Sequence, residues 1–298
     1  MTDLFSHKMT ERSRWRYFLF SVENSGMKII GFAKIARTQN TSCNPAPRKH
    51  EGRMPKFLTV ESDAPVLEIT LDKPKVNAIN DEMSRELAEA FSLLRDDPDL
   101  RVGIVTAAGQ KIFSAGWDLK DVNESDAGID NWWETGNFGD GGFAGLTENW
   151  TLNKPVIAAL NGLLIGGGFE IAMSADLLIA ADHVEFALPE MPLGIVPDAG
   201  ALQRLPRRLP YNIAVEMLFL GRRMGAEEAA RYGLVNKVVP YDDLLPTARN
   251  WAQQLAKSGP LALQPVKEGL RTIECVPLDI AFDIMRTVYL PTYSAMLK

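Results

Sequence analysis

The chain of 298 residues is 46% apolar and 23% charged, the balance of a globular protein that can bury a core in one large or two smaller domains. A formal charge of −6 argues against a nucleic-acid partner, because phosphate binding needs a basic surface. Two distant cysteines, Cys43 and Cys275, exclude a disulfide framework and point to a reducing, cytoplasmic setting, and no apolar run reaches the roughly 18 residues that span a membrane.

Residues 1–53 differ from the rest. Ten Lys/Arg against four Asp/Glu give this stretch +6, which leaves −12 on residues 54–298. It has no sustained period, and its most apolar piece, Met27 to Ala36, is interrupted by Lys and Gly. It reads as a basic, poorly ordered extension. One origin is a transit peptide, basic and serine-containing; the other is translation from a start upstream of Met54. The second is favoured, since a strand pattern begins immediately after Met54.

From there the elements follow in order. Phe57 to Glu61 and Val66 to Leu71 alternate around Asp63-Ala64-Pro65 and predict a hairpin. Asp81 to Leu94 places Met83, Leu87, Ala90, Phe91 and Leu94 on one helical face, with Asn80 or Asp81 as cap. Arg101 to Thr106, Val156 to Leu160 and Leu177 to Ala180 read as short apolar strands, so the centre is α/β with repeated strand–strand–helix units. After about residue 210 the pattern turns helical, over Ile213–Phe219, Ala226–Arg231, Asp242–Leu255, Leu261–Ile273 and Leu278–Leu290.

Several standard catalytic motifs are absent: no G-x-S-x-G, no G-x-x-x-x-G-K-[ST], no H-E-x-x-H and no G-x-G-x-x-G. His7, His50 and His183 are too scattered for a metal cluster, and His183 beside Asp182 reads as a surface residue. Acid–base work therefore falls to carboxylates. Gly166 to Gly168 separate a strand from a helical stretch, where a helix N-terminus presents N–H groups suited to an oxygen that becomes negative. A tight packed turn is the plainer reading of those glycines. Glu170 follows in the first turn of an otherwise apolar helix, and Glu190 is again a single acid in an apolar segment, residues 186–197. Apolar surroundings raise a carboxyl pKa, as a general acid or base requires. Taken singly, either acid can instead be a partner for an arginine such as Arg204, or exposed. The loop 113–120, F-S-A-G-W-D-L-K, offers a second backbone donor. Asp198 is either a third acid or the N-cap of a helix beginning near Ala199.

The blocks F-S-A-G-W-D-L-K, G-G-G-F-E-I-A-M-S-A-D and F-A-L-P-E-M-P-L-G-I-V-P-D-A-G resemble, in order and spacing, the signatures of the crotonase (enoyl-CoA hydratase/isomerase) family, and the similarity runs from about Leu58 to Tyr293. The resemblance implies a spiral of strand–strand–helix units over residues 54–245. It also implies a C-terminal helical region, 246–298, that serves a homo-oligomer, a trimer or a dimer of trimers. It assigns oxyanion donors to the N–H groups of Trp117 and Gly167, and catalytic roles to Glu170 and Glu190. Ala115, Gly116, Asp118, Leu119, Lys120, Gly166 and Asp198 would contact substrate. Coenzyme A arrives as part of that substrate; no permanent cofactor or metal is implied. The segments Phe138–Glu148 and Gly221–Ala229 are most similar to the branch that interconverts carnitinyl-CoA and crotonobetainyl-CoA. A generic short-chain enoyl-CoA hydratase or isomerase, or an impaired crotonase-like binding subunit, are the alternatives. A trimethylammonium substrate suits aromatic faces, and Trp117, Trp132, Trp133 and Trp150 are the candidates. Two departures stand out: Ala201 replaces a glycine common in relatives, and the chain stops at Lys298, where relatives continue through a tail that helps close the acyl-CoA site.

Overall fold

The computed structural model describes residues 15–24, 27–36, 55–120, 138–289 and 294, with side chains only from residue 55. The chain divides into two compact units, Met1–Arg53 and Met54–Lys298. The first contains β1 (Trp15–Asn24) and β2 (Met27–Ala36), paired antiparallel; β2 coincides with the apolar piece noted above.

The second unit is built on two sheets. The larger has six strands: β3 (Leu58–Asp63), β4 (Val66–Leu71), β5 (Val102–Ala107), β7 (Val156–Leu160), β9 (Leu177–Ala181) and β12 (Lys237–Val239), adjacent in that order. β3 and β4 form the expected antiparallel hairpin, and every later pairing is parallel. All six residues of β5 and all five of β7 are buried. Strands covered on both faces are apolar throughout, which is why these segments lack alternation in the sequence.

The smaller sheet takes the intervening strands: β6 (Ile112–Ser114), β8 (Leu163–Ile165), β10 (Glu185–Ala187) and β11 (Met224–Gly225). From β5 to β10 the chain alternates between the two sheets, winding a spiral. Each return places the end of a small-sheet strand beside the end of the previous one. Three successive loops thereby converge.

Helices cover this frame. In α1 (Asp81–Asp96) Met83, Leu87, Ala90, Phe91 and Leu94 are buried as expected. Of its two candidate caps, Asn80 is used: its side chain accepts the N–H of Met83 at 3.1 Å. Gly103 lets α1 lie close to β5, since a Cβ there would sit 2.6 Å from Leu94 Cδ2. The remaining helices are α2 (Gly167–Ser174), α3 (Ala201–Arg208), α4 (Tyr211–Leu220), α5 (Ala226–Arg231), α6 (Tyr241–Lys257), α7 (Pro260–Ile273) and α8 (Leu278–Ile284), the last running into a π-helical turn, Met285–Tyr289. α6 buries Leu244, Ala248, Ala252 and Ala256, a stripe of period four, against β5, β7 and β9. It runs unbroken through residue 245, within the unit Met54–Lys298. Among the described residues, no helix is long and apolar enough to cross a membrane.

Candidate active site

The site lies where the loops after β6, β8 and β10 meet. The first loop is stitched to residues 76–79: Ala115 N–H donates to Val76 O at 2.9 Å, Ile79 N–H to Gly116 O at 2.7 Å, and Asp118 N–H to Ile79 O at 3.0 Å. Buried Ser114 adds a hinge point. Its Oγ donates to Asn77 O at 2.7 Å and accepts the Gly116 N–H at 3.0 Å. A register shift in the β6–β8 pairing at Ile112/Ser114 lets this loop leave the sheet toward the next one.

The glycines record how closely the two backbones approach. Gly116 has φ +77, and a Cβ on it would lie 2.6 Å from Gly167 N and 2.8 Å from Ile165 O. Gly166 has φ +50, and a Cβ there would sit 2.6 Å from Glu190 Oε1. Of the two readings open in the sequence, the packed turn is what these contacts describe: close packing leaves room for nothing but backbone. Gly167 opens α2, so its N–H has no intrahelical acceptor, and it takes none elsewhere among the described residues.

Glu170 stands one turn into α2 and is 2% exposed. Its Oε1 accepts the N–H of Ala201 at 2.9 Å, the first residue of α3. Burial pushes its pKa up to about 8; the Ala201 N–H opposes this, the charges of Glu190 and Asp198 add to it, and Arg204 opposes it. Glu190 precedes the 3₁₀ turn Met191–Leu193 and is 7% exposed. Its Oε2 is buried without a hydrogen-bond partner among the described residues. Burial raises its pKa to about 7, opposed by its own backbone N–H and supported by Asp198. Among the described residues neither glutamate forms a salt bridge, and Arg204 acts directly on Glu170 only through its charge. Arg204 instead donates to Thr147 O at 2.5 Å.

Asp198 does not cap the following helix. α3 begins at Ala201 with Gly200 as its N-cap and no side-chain cap bond, and the Glu170 carboxylate takes the N-terminal N–H instead. Burial raises Asp198 to about 7 as well, opposed by its own backbone N–H. Ala201 is helical and fully buried, so its Cβ is accommodated where a glycine is common.

Of the other expected contacts, Ala115 and Leu119 flank the loop and Lys120 is exposed, while Asp118 is paired with Lys73 at 2.9 Å. Trp117 stacks on Phe143 at 4.3 Å and meets Phe138 edge-on at 5.0 Å. Phe143 also covers Gly167, whose added Cβ would lie 2.6 Å from the ring. Phe138 and Phe143 fall in the segment Phe138–Glu148 singled out in the sequence, but neither was given a place in the site. Trp132 and Trp133 lie outside the described residues. Trp150 is 47% exposed and lines a cavity that includes neither glutamate nor Trp117. His183 is exposed, its Nε2 within 2.7 Å of Gln110 O and 3.1 Å of Asn161 O.

A two-sheet spiral of this kind, with buried carboxyls beside a glycine-lined turn, is the crotonase fold. The chain belongs to the enoyl-CoA hydratase/isomerase family, whose sequence pattern matches residues 61–287. It is 51% identical over 244 residues to carnitinyl-CoA dehydratases of Escherichia coli K12 and Salmonella arizonae, covering 82% of this chain and 91% of each relative. Among solved structures, an enoyl-CoA hydratase from Mycobacterium tuberculosis H37Rv matches with a TM-score of 0.71 at 34% identity, over 80% of this chain and 91% of that one. One from Bacillus anthracis matches with 0.71 at 31%, over 78% and 90%. The chain is thus a hydro-lyase of acyl-CoA thioesters.

Proposed function

We propose that the chain catalyses reversible syn hydration of an enoyl-CoA thioester, with carnitinyl-CoA and crotonobetainyl-CoA as the physiological pair. The observation that carries this reading is the 51% identity to carnitinyl-CoA dehydratases over nearly their whole length, joined to two buried glutamates of raised pKa at one loop cluster. In the proposed mechanism the N–H groups of Trp117 and Gly167 hold the thioester oxygen while negative charge develops on it. Dehydration removes a proton from C2 and the hydroxyl from C3. One carboxylate accepts the C2 proton, the other carboxyl protonates the departing hydroxyl, and water leaves. Glu190 manages the water or β-hydroxyl and Glu170 shares the proton transfers. Asp198 contributes a third, half-buried carboxyl, and residues 115–120 and Gly166 line the path of the thioester.

The aromatic group at Trp117 supports a trimethylammonium subsite, with Trp132 and Trp133 as its further candidates; Trp150, which lines a different cavity, is dropped from it. We assign the chain to a cytoplasmic homo-oligomer, a trimer or dimer of trimers. Exposed Tyr211, Phe219, Leu220, Leu278 and Phe282 support an assembly, and sedimentation tests its size. The enoyl-CoA hydratase neighbours favour one other reading, a generic short-chain hydratase. Comparing kcat/KM on crotonobetainyl-CoA and crotonyl-CoA decides: a preference of at least tenfold for the former is expected, and equal values refute the assignment.

A further inference from the structure

Arg204 links pieces of the site that come from three separate segments. It stands one turn into α3 and is half-buried. Its guanidinium lies across Gly200: a Cβ there would collide with Arg204 Nη1, and φ at that residue is +125, so only glycine leaves the room. Gly200 and Ala201 share the peptide whose N–H Glu170 accepts at 2.9 Å, so a positive charge is laid against that peptide. On its other side, Arg204 Nη2 donates to Thr147 O at 2.5 Å. Thr147 Oγ1 donates in turn to Phe143 O at 3.1 Å, and the Phe143 ring stacks on Trp117 and covers Gly167. One side chain thus ties the turn that receives Glu170 to the turn packed on both proposed oxyanion donors.

The charge acts as well. Arg204 forms no salt bridge among the described residues, and burial lowers its pKa; Arg208 lowers it further, while Glu170, Glu148 and Glu274 oppose this. Glu170 faces the charges of Glu190, Asp198 and Arg204, and of these three Arg204 alone is a cation that favours the carboxylate form. A guanidinium in contact with the carboxyl would lower its pKa by roughly 1–3 units and fix it as a carboxylate. The anchor on Thr147 O keeps the cation short of that contact, so Glu170 can still hold and release a proton.

We propose that Arg204 is a positioning residue of the reaction: anchored on Thr147 O and laid across Gly200, it aims the Ala201 N–H at Glu170 and keeps a positive charge near that carboxyl without touching it. It acts through Glu170 rather than on the substrate, and this role rests on Glu170 being catalytic.

The pH profile of kcat/KM for hydration tests it, measured on crotonobetainyl-CoA, or on crotonyl-CoA if the parent prefers that. Arg204→Gln keeps a donor for Thr147 O but removes the charge, so Glu170 should hold its proton to higher pH. The limb near pH 8, where Glu170 titrates, should move upward by about half a pH unit. Arg204→Lys keeps the charge and loses only the fork, so its limb should stay at the parent's pH and its kcat within about tenfold of the parent's. A residue that merely supports the fold would lower activity in both variants and move neither limb. Glu170→Gln, run in parallel, separates the possible failures. Near-parental activity there removes Glu170 from catalysis and the role of Arg204 with it. An inactive Glu170→Gln beside an unmoved or absent limb in Arg204→Gln overturns the role of Arg204 alone. Should Arg204→Gln fail to fold, Arg204→Lys decides: a limb in place with most of kcat retained supports the role, and a displaced limb, or a loss as complete as that of Glu170→Gln, overturns it.

Discussion

The two sheets divide the work. In the larger, β5, β7 and most of β9 are buried along their length, and their hold on the fold is apolar area distributed over many side chains. In the smaller, β6, β8 and β10 have three residues each, too few to hold a loop by ladder bonds alone. Their loops are fixed by discrete polar contacts, such as Ser114 Oγ to Asn77 O and Gly166 N–H to Ala187 O at 3.0 Å, and by glycine-to-backbone contact. A site that must hold ionisable groups away from water cannot be built from interchangeable packing. The contrast predicts that damage to the small sheet's loops removes activity more than stability, and damage to the large sheet does the reverse.

The largest effect is expected at the carboxyls. Glu170→Gln and Glu190→Gln should each lower kcat/KM by roughly 10²–10⁴-fold, the usual contribution of a positioned acid or base. The fold should persist, because a glutamine oxygen can still accept the Ala201 N–H at position 170. Stability carries a second signature. The folded Glu170 pKa of about 8 lies above its ordinary 4.5, so between those values the folded chain holds a proton that the unfolded chain releases. Stability therefore declines as pH rises from about 4.5 to about 8, by an amount on the order of a few kcal/mol, and levels off above. Glu190 acts in the same direction up to about 7. Thermal melts across this window should slope downward in the parent and be flatter in Glu170→Gln. A parent whose melting temperature rises through the window would break the account.

Gly116→Ala tests the backbone half of the contrast. The new Cβ meets Gly167 N and must adopt a positive φ, so the loop carrying Trp117 shifts against α2. Loss of one oxyanion donor costs roughly 10²–10³-fold in kcat, with a melting temperature only modestly lowered. Trp117→Leu removes the ring but keeps the N–H. Losing one cation–π contact of roughly 1–2 kcal/mol should cut turnover of crotonobetainyl-CoA about tenfold relative to crotonyl-CoA. Equal losses on both substrates would remove Trp117 from any cation subsite.

The same division governs what could be read from the sequence. β5, β7 and β9 were legible because a fully covered strand must be apolar, and α1 because its buried face repeats. Glu170 was legible as a lone acid in an apolar helix, and the glycines at 116 and 166–168 as backbone without room for side chains. The helix α3 was legible only as a start near Ala199 and its cap was misassigned: it buries only Ala201 and Leu205, contains Pro206, and is preceded by an aspartate that looks like a cap but is not one. That Glu170 takes the Ala201 N–H, that Lys73 pairs with Asp118 and that Phe143 covers Gly167 depend on contacts across 24 to 45 residues, which no local pattern encodes.

The smallest effect belongs to the large sheet. Ile104 in β5 is fully buried, with β4 on one side and β7 on the other, remote in the pairing scheme from the small sheet's loops. Ile104→Val deletes one methylene and should cost about 1 kcal/mol, seen as a lower denaturation midpoint with an unchanged slope. The folded fraction should keep kcat and KM within twofold of the parent, since neither the carboxyls nor the donor backbone rests on that atom. If a single methylene there alters kcat as strongly as it alters stability, the sheets are coupled through the β5–β6 connection, and the division of labour between them does not hold.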